Sequence, residues 1–157
     1  MIIRKRSGEK VPFCSEKVMN AMKKAFDGQK TSIDYEKMEE LLSRILKRLP
    51  DDDSLTVELV QDEVERALME RGYYEVAKAY ILYREKRTVL RKTRVAIAVA
   101  VDDPSLEDVL SRIQKDFADE IYALLSLQSK FDSFSKPAMT PEERYSVLIK
   151  AAMELTT

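Results

Sequence analysis

The sequence predicts a mainly α-helical fold carrying a small β-hairpin at its N-terminus. Three observations predict it. After Phe13, apolar residues recur at helical spacing through most of the chain. Glycine and proline are scarce, at 3 and 5 of 157 residues, which disfavours an all-β fold. Residues 2–13 instead alternate around a Ser7-Gly8 pair, which is a hairpin signal.

The hairpin places Arg4, Lys5 and Arg6 in its first strand and turn, with Val11-Pro12-Phe13 returning. A first helix follows from about Glu16 to Phe26, with Val18, Met22, Ala25 and Phe26 on one face, and Gly28 is expected to end it. Thr31 and Ser32 are candidate caps for a second helix, 34–49, whose stripe runs through Met38, Leu41, Leu42, Ile45, Leu46 and Leu49. Asp51-Asp52-Asp53 reads as a solvated turn. Thr56 precedes Val57, Val60, Val64, Ala67 and Leu68 and is the expected N-cap of a third helix over 57–70. A hydroxyl aimed at a ligand is a compatible second role for it.

The fourth helix, 74–94, aligns Val76, Tyr80, Tyr83 and Arg87 on nearly one face, so Arg87 is expected to continue a buried stripe. The first four helices, joined by short connections, suggest a small bundle with the hairpin over one end. Val95 to Val101 is an apolar run that either continues the fourth helix or forms a linker strand, and Asp102-Asp103-Pro104 breaks it. This gives domains of 1–94 and 105–157 joined by a linker, 95–104. In the second part a helix starts at a Ser105-x-x-Asp108 capping box and continues through Leu106, Val109, Leu110, Ile113, Phe117, Ile121 and Leu124. Periodicity fails at 131–137, read as a loop. Thr140-Pro141-Glu142-Glu143 is a full capping box with proline at the first helical position of the last helix. That helix reaches the chain end without a C-cap, so the chain is expected to be a fragment of a longer protein.

Composition excludes several function classes. There is no histidine and one cysteine, Cys14. A Cys/His zinc site, an internal disulfide and a histidine-based triad are therefore ruled out. No apolar run has the length of a membrane span, and the N-terminus lacks the apolar core of a signal peptide, so a cytoplasmic protein without a membrane partner is expected. The three glycines, Gly8, Gly28 and Gly72, form no P-loop. A nucleotide would have to be bound by side chains and helix ends.

The net charge of -1 hides an uneven distribution. Residues 1–30 are net +5 and 73–94 net +5, whereas 31–72 are net -6 and 95–157 net -5. Two basic segments far apart in sequence can converge on one polyanion. Lys17 adds to this: it lies in the first turn of a helix, where a cation opposes the dipole and a nearby anion would account for it. A solvated basic hairpin is the plain alternative.

Taken together, Lys5-Arg6-Ser7-Gly8, Val11-Pro12-Phe13, Lys17-Val18, Thr56 through Leu68-Met69, and Val76 through Arg84 with Arg87 resemble the ATP-cone. This is the regulatory nucleotide-binding domain at the N-terminus of ribonucleotide reductase large subunits. The resemblance covers residues 2 to about 92. The segments Ile113-Gln114, Asp116-Phe117, Lys130-Phe131, Ser133-Phe134 and Leu148 to Thr157 are similar to the region that follows the cone in the aerobic, diphosphate-reducing subunit.

The resemblance implies a four-helix bundle under a β-lid, binding ATP or dATP as allosteric effector with Mg2+. Lys5, Arg6, Lys17 and Arg87 would contact phosphates, and Val11 and Thr56 would lie toward the base and sugar. ATP would keep the reductase active and dATP switch it off, with self-association through the cone. A radical-generating small subunit would be the parent's partner, and no nucleic acid is expected. The fragment itself would not catalyse, because one cysteine cannot supply the radical nucleophile and the reducing pair. Two departures stand out: Ser7 replaces the usual turn aspartate, and Cys14 stands where Asp or Asn is usual before the helix. The alternatives are the ATP-cone of a nucleotide-sensing transcriptional repressor, which would carry a four-cysteine zinc ribbon that this chain lacks, and a helical interaction module without a ligand.

Overall fold

The structure, a computed structural model, describes residues 1–116 and 121–155. Two short strands, β1 (Ile2–Arg4) and β2 (Lys10–Pro12), precede seven helices among the described residues. These are α1 (Ser15–Gly28), α2 (Tyr35–Arg48), α3 (Val57–Glu70), α4 (Tyr74–Val101), α5 (Leu106–Asp116), α6 (Ile121–Phe134) and α7 (Pro141–Leu155). The fold is mainly α-helical with an N-terminal hairpin, as the periodicity predicts. None of these helices is long and apolar enough to cross a membrane.

The chain divides into two compact units, Met1–Tyr83 and Arg84–Thr157. The first unit is built on α1, α2, α3 and the opening turns of α4. Met22, Phe26, Leu41, Ile45, Leu55, Val64, Leu68 and Val76 fill its core at 2% exposure or less. The Phe26 ring meets Tyr73 edge-on, with centroids 5.0 Å apart. Fully burying side chains of this size is worth about 1.5–3 kcal/mol each. Ile3 and Phe13 pack against the same core and bring the hairpin with them.

The helix ends show where local chemistry differs from its simplest reading. Gly28 does not turn the chain after α1; Lys30 does, at φ 52°. The Thr31 and Lys30 N–H groups donate to the carbonyls of Phe26 and Asp27, the two bonds of a Schellman cap. The α3 helix ends the same way with Gly72 at φ 81°. The cap of α2 is neither Thr31 nor Ser32 but Asp34, whose Oδ1 accepts from the Lys37 N–H at 2.8 Å. Residues 31 and 32 are committed to leaving the Schellman turn, so the capping position falls to the residue directly before Tyr35.

Residues 95–101 are helical: α4 runs unbroken from Tyr74 to Val101, spanning the boundary between the units. Its buried apolar positions are Val76, Ala77 and Tyr80 in the first unit, then Leu90, Ile97, Ala98 and Val101 in the second. Tyr83 and Arg87 are exposed, so the expected buried stripe does not extend to them.

In the second unit Ile97, Val101, Phe131, Leu148 and Ala151 form the core. Phe131 is buried and Phe134 packs beside it, which keeps residues 131–134 helical where the serine-rich sequence reads as a loop. Ser133 and Ser135 donate to the Lys130 and Phe131 carbonyls and close the helix end. The α7 capping box forms as expected, Thr140 N–H to Glu143 at 2.7 Å and Glu143 N–H to Thr140 Oγ1 at 3.3 Å. At α5 the Ser105 hydroxyl and N–H both donate to Asp103, at 2.6 and 3.0 Å, in place of the expected capping box with Asp108. The expected helical position at Phe117 lies outside the described residues, as do Thr156 and Thr157 of the family-like segment and the side chains of Ile113 and Ile121.

Candidate functional site

The hairpin is antiparallel, with Ile2 opposite Pro12, Ile3 opposite Val11 and Arg4 opposite Lys10. Directly opposed residues project to the same side, so Val11 lies beside Ile3, which faces the core. The connection is tight. The Lys5 N–H donates to the Glu9 carbonyl at 2.8 Å and the Gly8 N–H to Lys5 at 2.9 Å. Gly8 takes φ 87°, which a glycine adopts without steric cost.

The free edge of β1 is bonded to the approach to α3. The Arg4 N–H donates to the Leu55 carbonyl at 2.9 Å, and Arg4 pairs in parallel with Thr56. Leu55 is fully buried, so this seam is anchored in the core. Lys10 and Arg4 add bonds to Asp53, through its carboxylate at 2.8 Å and its carbonyl at 3.2 Å. The first residues of the turn thereby sit against the start of α3. The Arg6 Nε lies 2.6 Å from Glu58 and a terminal nitrogen donates to Gln61 at 3.0 Å. Lys5 pairs with Glu9 at 2.8 Å within the turn.

Thr56 is the N-cap of α3: its Oγ1 accepts from the Leu59 N–H at 3.2 Å. A hydroxyl carries one donor as well, and that donor has no acceptor among the described residues. At α1 the residue in the capping position is Cys14, and it makes no side-chain cap bond. Ser15 is already helical and does not replace it. Lys17 follows in the first turn, exposed and without an ion pair among the described residues.

The structure therefore brings Lys5, Arg6, Val11 and Thr56 to one hairpin–helix junction, with Lys17 four residues beyond the hairpin's end at Phe13. Arg87 belongs to the second unit, as an exposed residue of α4. Sequence reading missed the acids that meet the cations. Glu58 lies in the first turn of α3 and Glu9 in the hairpin connection. Their pairing with Arg6 and Lys5 depends on how the turn closes and where it docks.

A cavity of about 530 Å³ opens elsewhere in the first unit, between the end of α1 and the start of α2. None of the five residues lines it. Its charged lining is two lysines, Lys23 and Lys30, against Asp27 and Asp34. That balance offers no attraction for a polyanion. Among the described residues there is also no group of three His, Cys, Asp or Glu side chains placed to hold a metal ion.

The ATP cone domain family matches residues 1–89. The chain belongs to the ATP-cone family. It is 35% identical over 163 residues to the ribonucleoside-diphosphate reductase subunit alpha of Treponema pallidum, an alignment covering 99% of this chain, cone included, and 19% of that protein. It is 37% identical over 103 residues to the vitamin B12-dependent ribonucleoside-diphosphate reductase of Thermoplasma acidophilum, covering 62% of this chain and 13% of the relative. The alpha subunit of Chlamydia muridarum is 34% identical over 121 residues, 69% of this chain and 12% of its own length. The ATP-cone chain thus spans a fifth or less of these relatives.

Proposed function

We propose that residues 1–94 bind ATP or dATP and act as the overall-activity domain of a ribonucleoside-diphosphate reductase. One observation carries this. The family match over residues 1–89 takes in the junction where the hairpin that bears Lys5 and Arg6 docks on the Thr56 cap of α3. Lys5, Arg6, Lys17 and Arg87 take the phosphates; Val11 and Thr56 lie toward the sugar and base. The residues present fit such a ligand: two cations sit on the turn, and among the described residues Lys17 has no competing ion pair and the Thr56 donor no acceptor. Mg2+ would ride on the phosphate oxygens, since no carboxylate cluster is placed for it among the described residues.

In this reading ATP sustains activity, and dATP inhibits by changing how copies associate through the cone. Residues 95–104 continue out of the cone through the end of α4, and 105–157 begin the catalytic subunit. The whole protein would pair with a radical-generating small subunit in the cytoplasm and supply deoxyribonucleotides, with no membrane or nucleic-acid partner. The chemistry would lie outside this chain. A reductase is favoured over a repressor because the Treponema pallidum alpha subunit aligns over 99% of the chain, including the part beyond the cone.

Thermal unfolding with added nucleotide tests the reading. Ligand at a hundredfold excess over its dissociation constant adds ~2.7 kcal/mol of stability. A clear rise with ATP and with dATP is expected. Unchanged unfolding with both would favour the ligand-free interaction module.

A further inference from the structure

The Arg6 Nε faces Glu58 at 2.6 Å and a terminal nitrogen donates to Gln61 at 3.0 Å. A phosphate or carboxylate grips a guanidinium best through two parallel N–H bonds. Glu58 and Gln61 already engage two of the nitrogens that could supply them. The acid is well held. Glu58 lies in the first turn of α3, where the helix dipole favours a negative charge. The parallel pairing of Arg4 with Thr56 fixes the spacing between the two backbones that carry the pair.

We propose that Glu58 is an internal competitor for the phosphate chain, occupying Arg6 and yielding it when a triphosphate binds, so that it sets the affinity of the site. This rests on the reading of the hairpin as a nucleotide site. Three physical points support it. The pair is partly solvent-exposed, with side chains at 35% and 47%, and such pairs are weak enough to exchange. A triphosphate brings several negative charges to the same guanidinium. A carboxylate left within a Debye length of those charges repels them. Competition and repulsion act in the same direction, and glutamine in place of Glu58 removes both while keeping the side chain's size. Lys5 and Glu9 form a second pair, but that one closes the turn on itself and does not connect it to α3.

The test is calorimetric titration of the 157-residue protein with ATP in four forms: wild type, Glu58→Gln, Arg6→Ala and the double variant. Glu58→Gln is expected to tighten ATP binding by about three- to tenfold, a gain that misfolding cannot produce. In the Arg6→Ala background the same change should bring less than half of that gain, because the group competed for is gone. Unchanged or weaker binding by Glu58→Gln, with wild type binding normally, overturns the competitor role. Weaker binding would instead make Glu58 a residue that positions Arg6. Failure of the wild type to bind ATP brings down the nucleotide-site reading itself, a result distinguishable from either.

Discussion

Arg4 and Thr56 pair in parallel, backbone to backbone, so the hairpin and the cap of α3 form one continuous seam. Thr56 caps α3, and in the proposed site its hydroxyl also serves the nucleotide. Thr56→Ala removes the cap and should cost about 1 kcal/mol of stability. It also removes the unused hydroxyl donor and should weaken ATP binding. Thr56→Ser keeps both functions and should change neither. Denaturant unfolding and titration on the same samples check this. Equal ATP affinity for Thr56→Ala and wild type would leave the residue a cap alone.

Glu63 is 6% exposed, with Arg66 at 2.8 Å and Arg48 at 3.7 Å. Arg48 in turn holds Glu70 at 2.7 Å. Removing Arg48 leaves the buried Glu63 carboxylate with one cation fewer, whereas removing Glu63 leaves only the solvent-reachable Arg48 and Arg66 and strands no charge in the interior. Arg48→Met should therefore lower the urea midpoint, since Glu63 keeps only Arg66 and Glu70 loses its 2.7 Å partner. Glu63→Met should be neutral or mildly stabilising. Urea midpoints that fall equally for both would contradict this asymmetry.

Much of this architecture was legible in the sequence, and the exceptions have physical causes. The hairpin, the Thr56 cap and the α7 capping box are local chemistry, and each forms where residue types and spacing put it. Asp34 was passed over for Thr31 and Ser32 because a Schellman turn built on Lys30, a residue with a Cβ, is invisible to a rule that looks for glycine. Helix at 131–134 depends on burying Phe131, which is a tertiary effect. Arg87 lies on the helical projection of Val76 and Tyr80, yet α4 leaves the first core after Tyr80, so spacing alone overstated its burial. The Arg6–Glu58 pair spans 52 positions in sequence and exists because β1 docks on Leu55 and Thr56.

The two glycine-type helix ends predict unequal responses. Gly72 sits at φ 81°, where a side chain is strained whatever the space around it. Gly72→Ala should destabilise by about 1–2 kcal/mol. Lys30 already carries such strain at φ 52°, so Lys30→Gly should be neutral or stabilising. Thermal midpoints of the two variants should move in different directions or by clearly different amounts; equal losses would contradict the assignment.

Asp34 is held below its ordinary carboxylate value of 3.8, first by the Lys37 backbone N–H it caps and then by the Lys37 ammonium. A depressed folded-state value means that its stabilisation is present above the unfolded value and lost as pH falls through the folded one. Asp34→Asn retains a good cap but cannot titrate. Its stability should therefore fall less than the wild type's as pH drops below about 3.8. Parallel acid-unfolding curves would contradict this role for the cap.

The central claim is that the basic hairpin and its helix neighbours hold a nucleoside triphosphate. Calorimetric titration with ATP and dATP, in wild type and in Lys5→Ala, Arg6→Ala, Lys17→Ala and Arg87→Ala, tests it most directly. Hydrogen bonds to charged groups contribute roughly 1.5–3 kcal/mol, so each substitution should weaken binding about tenfold or more. Lys150→Ala, which removes a cation 4.3 Å from the Phe134 ring in the second unit, should bind like wild type. ATP and dATP should compete for one site. Saturable binding lost on substituting Lys5, Arg6 or Lys17 is the predicted result, and Arg87→Ala binding at wild-type affinity would remove that residue from the site. Absence of binding in the wild type, or affinities indifferent to all four substitutions, would contradict the account.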